Sequence, residues 1–324
     1  MKNILLIHTG GTIAMTENAN TGSVSTTNSH PLASEDAIIK QFAKVNDDYL
    51  FDLPSPHITP VHMLKLGQHI ERNLKTNTYD GIVITHGTDT LEETAYFLDL
   101  YLETNKPIVI TGAMRSSNEI GSDGLYNLIS AIRVASAEES EEKGVLVVMN
   151  DEIHTAAYAT KTSTSNIATF KSPQFGPIGM LTKQTVYFYH KSISFETYKV
   201  ESITKQVPLI KAYAGMDQTL FNAVTSISLD GIVIEGFGQG NLPPAIVDSI
   251  EQLIKKSIPV VLVSRSFKGI VQPTYDYPGG GKQLKNAGVL FAKGLTGQKA
   301  RIKLLLLLES NCSLDRLETI FEAK

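Results

Sequence analysis

Two turns that carry hydroxyl groups each follow a short aliphatic run of the chain. The run Ile4 to Ile7 leads into Thr9 to Ala14, and the run Ile82 to Ile84 leads into a turn that contains Thr88. Runs of this kind are typical of buried strands in a parallel sheet. Ligands of such sheets bind beyond the carboxyl ends of the strands, which is where both turns would lie. We therefore expect Thr12 and Thr88 to face one pocket.

A threonine hydroxyl is a weak nucleophile until a neighbouring base takes its proton. Lys161 would serve as that base if its amine were desolvated enough to be partly neutral, and Asp89 could orient it. Other interpretations stay open: Thr9 to Ala14 could be a phosphate-cradling loop or a plain tight turn, Asp89 could cap a helix, and Lys161 could be solvated. The sequence lacks the Gly-rich fingerprints of dinucleotide sites and P-loops.

Four histidines lie near these segments. His8 and His86 are next to the two turns, and a histidine at a strand end is more often a hydrogen-bonded core residue than a ligand. We therefore assign neither histidine a role in the site. His57 and His62 are five residues apart with no third partner, so we expect no metal site there.

Composition favours a small-molecule partner. The 324 residues are 42% hydrophobic and carry a formal net charge of −4, which indicates neither nucleic acid nor a membrane surface as a partner. The start of the chain is too short an apolar run for a signal peptide and is predicted to be the first strand. A single cysteine, Cys312, fits a reducing cytoplasm, and the five-residue run Leu304 to Leu308 is too short to span a membrane.

Strands and helices are predicted to alternate, which indicates an α/β fold with a doubly wound, mostly parallel sheet. Predicted strands are Ile4 to Ile7, Ile82 to Ile84, Pro107 to Thr111, Gly144 to Met149, Gly231 to Glu235 and Pro259 to Ser264. Predicted helices are Ser34 to Lys44, Thr59 to Leu74, Leu91 to Glu103, Leu125 to Ala137, Pro243 to Lys256, Lys299 to Leu308 and Ser313 to Phe321.

The chain divides into a larger N-terminal domain at 1–190, a linker at 191–207, where periodicity is lost, and a smaller C-terminal α/β domain at 208–324. Thr90 and Glu93 fit a capping box, so a helix is predicted to begin there. The polar segment Met15 to Pro31 is either a lid over the pocket or a plain surface loop.

With these segments in view, the chain resembles the bacterial L-asparaginase family over most of its length. The segments TGGTIA, at Thr9 to Ala14, and THGTDT, at Thr85 to Thr90, look like the two family signatures, and together they are far more specific than either alone. Further similarity lies in Gly112 to Asn127, Gly144 to His154, Lys161 to Gly179 and Gly238 to Asn241. These segments resemble the type II subclass, whereas the missing signal peptide is what a cytoplasmic enzyme would show.

The resemblance implies that asparagine and water give aspartate and ammonia through an acyl-enzyme, without cofactor or metal. Thr12 matches the nucleophile, and Thr88, Asp89 and Lys161 match the second catalytic group. Backbone N–H groups near Thr88 and Ala113 would stabilise the oxyanion.

Substrate-binding residues are also implied by the resemblance. Ser55 matches the position that holds the α-carboxylate, and Asp89 would also hold the α-ammonium. Asn241 matches a residue contributed toward the site of a neighbouring subunit, because the family's usual assembly is a homotetramer built as a dimer of dimers. The implied substrate-binding set is Gly11, Ser55, Gly87, Thr88, Asp89, Ala113 and Asn241.

The sequence departs from the family pattern at three places. The segment Met15 to Leu32 contains no counterpart of the loop tyrosine that helps activate the nucleophile, and Ser23 or Ser25 falls near that position. Pro56, after Ser55, replaces a residue with a polar side chain. The type II glutamate that reaches the substrate ammonium from the partner subunit is replaced in the Pro278 to Gly281 turn, where Tyr275 or Asp276 could compensate.

Three alternatives to a strict asparaginase remain. A dual glutaminase-asparaginase would have the same catalytic residues. The amidase component of a tRNA-dependent amidotransferase shares both threonine signatures but is expected to carry an added tRNA-facing domain, for which neither end has room. A catalytically weak sensor of asparagine or aspartate would explain the missing tyrosine, although it would have no need for Thr12, Thr88, Asp89 and Lys161.

Overall fold

A computed structural model of the protein describes residues 1–18, 20–26, 36–76, 78–190 and 196–322. The chain forms two compact units, Met1–Thr197 and Tyr198–Lys324. The predicted domain limits of 1–190 and 208–324 stay predictions. The part of the predicted linker after Tyr198 packs on the second unit, since Tyr198, Ile203 and Val207 contact its apolar core.

The first unit is built on one large sheet. In chain order its strands are β1 Asn3–His8, β2 Met15–Glu17, β3 Val24–Thr26, β4 Lys44–Tyr49, β5 Gly81–Thr85, β6 Ile108–Thr111, β7 Val145–Met149, β8 Glu152–Thr155, β9 Thr160–Lys161, β10 Phe170–Lys171, β11 Gly179–Leu181 and β12 Val186–Phe188. Its helices are α1 Asp36–Ile39, α2 Pro60–Thr76, α3 Leu91–Tyr101 and α4 Gly124–Ser136.

Among the described residues the large sheet has eight strands in the order β12-β11-β8-β7-β6-β5-β1-β4. Strands β4, β1, β5, β6 and β7 are parallel, and β8, β11 and β12 extend the sheet antiparallel. In β1, Ile4 and Leu6 pack in one core cluster with Leu128 and Ala131 of α4. Because side chains alternate along a strand, the equally buried Leu5 and Ile7 face the opposite side. Both faces of the sheet are therefore covered, as predicted.

Two small hairpins stand outside the large sheet. Strands β2 and β3 pair antiparallel, as do β9 and β10. The first hairpin falls within the segment predicted to be a lid or a surface loop, of which residue 19 and residues 27–31 lie outside the described part of the chain. Ser117 Oγ and Asn118 Nδ2 donate to the carbonyls of Met15 and Glu17, which anchors this hairpin to the loop after β6.

The second unit is a smaller parallel sheet. Its strands are β13 Leu209–Lys211, β14 Ile232–Gly236, β15 Val260–Ser264 and β16 Leu290–Phe291, paired in that order. Its helices are α5 Gln218–Thr225, α6 Val247–Lys255, α7 Gly281–Ala287, α8 Gly297–Glu309 and α9 Leu314–Glu322. The predicted strands β14 and β15 and the predicted helices α6, α8 and α9 are confirmed.

Two local predictions were wrong. The helix predicted at Ser34 to Lys44 is, in its described part, the short helix α1, and Lys44 begins strand β4. Helix α3 begins after Thr90 as predicted, but the hydroxyl of Thr90 makes no cap. It donates instead to the carbonyl oxygen of Ser55 at 2.8 Å, so this side chain joins two loops.

Candidate active site

The first turn approaches the second at a pair of glycines. Gly11 has a φ of +87°, and a Cβ on it would lie 2.3 Å from Gly87 Cα. Only glycine allows two backbones to come this close. Thr12 directly follows Gly11, and Thr88 directly follows Gly87. The two threonines are therefore each one residue away from the same close backbone contact. Thr12 begins a short 3-10 helix and is partly exposed.

Ser55 lies against the second turn. A Cβ on Gly87 would lie 2.7 Å from Ser55 Oγ, and the backbone N–H of Asp89 donates to that same oxygen at 3.2 Å. Ser55 is buried, with 5% of its surface exposed. The structure thus places the predicted carboxylate-binding serine beside Gly87 and Asp89, where the glycine leaves room for its hydroxyl.

The turn that contains Ala113 packs against Thr88. A Cβ on Gly112 would lie 3.2 Å from Thr88 Cγ2, so this turn is also in close contact with the threonine. Asp123 holds the turn, because its carboxylate accepts from the backbone N–H groups of Met114 and Arg115 at 3.0 to 3.1 Å. Ala113 itself is fully buried.

Lys161 reaches this group from strand β9. Its Nζ donates to Thr88 Oγ1 at 3.0 Å and to Asp89 Oδ1 at 2.7 Å. The side chain of Lys161 is 17% exposed and that of Asp89 is 59% exposed. Asp89 is therefore paired with Lys161, and Lys161 is not a freely solvated lysine. Because Nζ donates to Thr88 Oγ1, the hydroxyl keeps its own proton for another acceptor.

Sequence reasoning missed Glu92, the second residue of α3. The residue is 5% exposed, and its Oε1 accepts from Thr160 Oγ1 at 3.0 Å and from the backbone N–H of Lys161 at 3.3 Å. Acidic residues in the first turn of a helix are common for electrostatic reasons alone, so the position gave no signal of this contact.

His8 and His86 are buried, hydrogen-bonded core residues. His8 Nδ1 lies 2.9 Å from Thr85 Oγ1, and its ring stacks on Tyr49. His86 is fully enclosed, with Nδ1 2.8 Å from the carbonyl of Gly87 and Nε2 2.9 Å from Thr94 Oγ1. Burial lowers the pKa of His86 to about 4, against the carbonyl of Gly87, which raises it. A neutral imidazole at this position supports the second turn from beneath.

Asn241 lies in the second unit, at the turn after β14. Its Oδ1 accepts from the backbone N–H of Gly281 at 3.2 Å, and its backbone exchanges two hydrogen bonds with Phe237. The contact with Gly281 ties this turn to the start of α7. The role of Asn241 toward a neighbouring subunit stays a prediction, as do the compensating roles of Tyr275 and Asp276.

Within the described part of the chain, no group of three His, Cys, Asp or Glu side chains is arranged to hold a metal ion. The described helices include none that is long and apolar enough to cross a membrane.

Two family models match almost the whole chain. The model described as Asparaginase, N-terminal matches residues 3–194, and the model described as Glutaminase/Asparaginase C-terminal domain matches residues 206–321. The chain belongs to the asparaginase family. The Thr, Lys and Asp contacts described above thus lie in the N-terminal domain of this family.

Individual members of the asparaginase family are similar to the chain along its length. An L-asparaginase of Bacillus licheniformis is 36% identical over 95% of this chain and 96% of its own. A glutaminase-asparaginase of Pseudomonas aeruginosa is 32% identical over 99% of this chain and 90% of its own. A crystal structure described as a probable cytoplasmic L-asparaginase from Campylobacter jejuni is 30% identical, covers 99% of both chains and has a TM-score of 0.89.

Proposed function

We propose that this asparaginase-family chain hydrolyses the side-chain amide of free L-asparagine to L-aspartate and ammonia. The observation that carries the proposal is the contact of Lys161 with both Thr88 and Asp89, beside the glycine pair from which Thr12 and Thr88 depart. A hydroxyl, an amine and a carboxylate in one polar cluster are the groups that acyl transfer requires. Family membership and the names of the relatives support the same reaction.

The proposed reaction has two steps. In the first, Thr12 Oγ1 bonds to the amide carbon, the C–N bond breaks, and the hydroxyl proton leaves with the nitrogen as ammonia. In the second, water attacks the threonine ester, which gives aspartate and restores the hydroxyl. Thr88, Asp89 and Lys161 act as the second catalytic group, with Lys161 fixing the hydroxyl of Thr88 from one side.

Backbone donors near Thr88 and Ala113 stabilise the oxyanion in this proposal. The Ala113 turn is suited to this role because Asp123 fixes its N–H groups in place before substrate binds. Loss of one preorganised oxyanion donor costs about 3 to 4 kcal/mol of barrier in other acyl-transfer enzymes.

Ser55 and Asp89 bind the two charged ends of the amino acid. The hydroxyl of Ser55 is a donor for the α-carboxylate, and the carboxylate of Asp89 is exposed enough to accept from the α-ammonium while it contacts Lys161. Gly11 and Gly87 contribute backbone only, so the ligand can lie close to both turns. No cofactor or metal takes part in the proposed steps.

A dual glutaminase-asparaginase is the second candidate, favoured by the similarity to the Pseudomonas aeruginosa protein of that name. Glutamine is one methylene longer than asparagine. A single methylene in a binding pocket discriminates by only about 1 to 3 kcal/mol, so both amides could be substrates.

We propose a cytoplasmic homotetramer, built as a dimer of dimers, in which Asn241 contributes to the site of a neighbouring subunit. The similarity to the Campylobacter jejuni protein, which is described as a probable cytoplasmic L-asparaginase, supports the compartment. Neither a nucleic acid nor a membrane is a partner in this proposal.

The deciding experiment measures ammonia release from L-asparagine and L-glutamine with wild-type protein and Thr12→Ala. We expect release from asparagine that is lost in Thr12→Ala and kept in Thr219→Ala, a control at an exposed threonine of α5. The glutamine rate decides between single and dual specificity. If neither amide is cleaved while aspartate still binds, the protein is a sensor and the proposed hydrolase activity is wrong.

A further inference from the structure

Lys161 lies on strand β9, which is not part of the large sheet. Among the described residues, β9 and β10 pair only with each other, through Lys161 opposite Phe170 and Thr160 opposite Lys171. A two-residue strand outside the main ladder has little pairing to fix its position. Yet Lys161 Nζ must stay within hydrogen-bond reach of Thr88 and Asp89 for the proposed chemistry.

Glu92 supplies a tie from the helix that begins at the second turn. One carboxylate oxygen accepts from the Thr160 hydroxyl at 3.0 Å and from the Lys161 backbone N–H at 3.3 Å. Both Glu92 and Thr160 are buried, with 5% and 4% of their surfaces exposed. In the low-dielectric interior of a protein a hydrogen bond is electrostatically stronger than in water, so two such bonds to one oxygen can hold the strand.

These contacts close a ring. From Thr88 the chain runs through Asp89 into α3 and reaches Glu92, which holds the backbone of Lys161, whose Nζ returns to Thr88. The backbone end and the amine end of Lys161 are thus both fixed to the same short segment. If the backbone end is released, the amine can move away without breaking any pairing of the large sheet.

We propose that Glu92 is a positioning residue for the amidohydrolase reaction: it sets the backbone of Lys161 so that the amine meets Thr88 and Asp89. The inference rests on the proposed function and adds a residue to it. Glu92 acts through Lys161 and touches no reacting atom. The role requires a hydrogen-bond acceptor, so Glu92→Gln should preserve it and Glu92→Met should abolish it.

The first measurement compares kcat and KM for asparagine. For Glu92→Met we expect kcat to fall about ten- to a hundredfold, the scale of a small misplacement of a catalytic group, with KM changed less than about threefold. Glu92→Gln should keep kcat within about threefold of wild type. Equal losses in both variants would overturn the proposal, because they would show that the acceptor is not what matters.

A double-mutant cycle with Lys161→Met separates positioning from general stability. If Glu92 acts only through Lys161, then Glu92→Met should cost no further kcat when Lys161 is already methionine. A loss of the same size in both backgrounds would show that Glu92 acts elsewhere. Thr160→Val is the second variant: it removes one of the two donors, and we expect a smaller kcat loss that also vanishes in the Lys161→Met background.

Crystal structures of wild type, Glu92→Gln and Glu92→Met test the geometry without any turnover. We expect the Lys161 Nζ to Thr88 Oγ1 distance to stay near 3.0 Å in the first two and to exceed hydrogen-bond range in the third. An unchanged distance in Glu92→Met would overturn the inference. If wild type cleaved no amide, the proposed function would fail while this geometric comparison still decided the role of Glu92.

Discussion

Lys161 and Asp89 form an ion pair whose strength does not explain its presence. The carboxylate is 59% exposed, and pairs of this kind typically contribute no more than about 1 kcal/mol to stability. The same amine also donates to the hydroxyl of Thr88. At the residue scale the pair is therefore better explained by chemistry than by folding, and replacing Lys161 should separate the two.

Lys161→Met should lower kcat for asparagine by at least about a hundredfold, the scale of lost general acid–base catalysis. The melting temperature should change little, because the lost ion pair is more than half exposed at Asp89 and contributes no more than about 1 kcal/mol. Lys183→Met, at an exposed lysine of the turn before β12, is the control and should keep wild-type kcat. Near-normal turnover of Lys161→Met would remove this lysine from the mechanism.

Gly11→Ala should destabilise the first unit severely. The added methyl carbon would lie 2.3 Å from Gly87 Cα. Its nearest neighbours are all backbone atoms, which cannot move aside at a small cost in free energy. We expect a loss of more than about 3 kcal/mol in the free energy of unfolding, beyond the range of most point substitutions.

Gly176→Ala is the matched control for that substitution. Gly176 also has a positive φ, +75°, but a Cβ there would meet nothing within 4 Å. It should cost only the roughly 1 to 2 kcal/mol of a left-handed backbone. Urea unfolding of the two variants measures the difference, and similar losses would mean that the contact of the two turns is less tight than the structure shows.

At the scale of elements, the β9–β10 hairpin is held from two sides. Glu92 of α3 holds β9, while Lys171 of β10 contacts both carboxylate oxygens of Glu152 on β8 at 2.9 and 3.0 Å. His154 Nδ1 lies 3.0 Å from Ser172 Oγ, and its Nε2 lies 3.2 Å from Glu152 Oε2. Polar side-chain contacts thus position this hairpin, whereas backbone hydrogen bonds between neighbouring strands position the strands of the large sheet.

Glu152 makes this support sensitive to acid. Its contact with His154, and next those with Lys171, hold its pKa at about 2, although burial raises it. An unfolded chain takes up this proton near the ordinary value of 4.5, at higher pH than the folded chain does. The stabilising contribution is therefore complete above about pH 4.5 and is lost as the pH falls toward 2.

Glu152→Gln should therefore flatten the acid side of the stability curve. Above pH 5 the variant should melt at a lower temperature than wild type, and the two melting curves should converge as the pH is lowered toward 2. Lys171→Met should give an intermediate slope, because the contact with His154 remains. Parallel profiles from pH 6 to pH 3 in scanning fluorimetry would contradict the assigned role of Glu152.

The elements that could be predicted are those in which the residue types indicate whether the element is buried. Strand β5 is buried along its whole length, and its aliphatic run indicates this directly. Strand β4 could not be predicted, because it lies at the sheet edge and most of its residues are polar. Strands β9 and β10 have two residues each, which is too few to show a periodicity. Short and exposed strands depend on partners that local sequence does not reveal.

The same limit applies to the candidate site. Thr12, Thr88 and Asp89 could be proposed because each lies in the turn that follows a buried strand, so its place at the sheet edge follows from the topology. The pairing of Lys161 with Asp89 was inferred from what a threonine nucleophile needs and from the family resemblance, because no local sequence pattern indicates it. Glu92 could not be found, since burial of a carboxylate depends on a hairpin that begins 68 residues later.

At the scale of the whole molecule, the proposed assembly determines how the site is completed. The resemblance assigns Asn241 to the site of a neighbouring subunit, while Thr12 belongs to the subunit's own site. A closed assembly of identical chains would exchange such residues reciprocally between two subunits. Light scattering should then give a mass near four times the 35.3 kDa of one chain.

Reciprocal exchange predicts complementation between two inactive variants. In a dimer of Thr12→Ala with Asn241→Ala, one site takes Thr12 from the second chain and Asn241 from the first and is intact, while the other site lacks both. Random mixing should therefore restore roughly a quarter of the sites, although each variant alone is inactive. Co-expression with two different tags, tandem purification and an ammonia assay measure this. If the mixed oligomers stay inactive while their mass is that of the wild type, the proposed exchange is wrong and Asn241 acts within its own subunit.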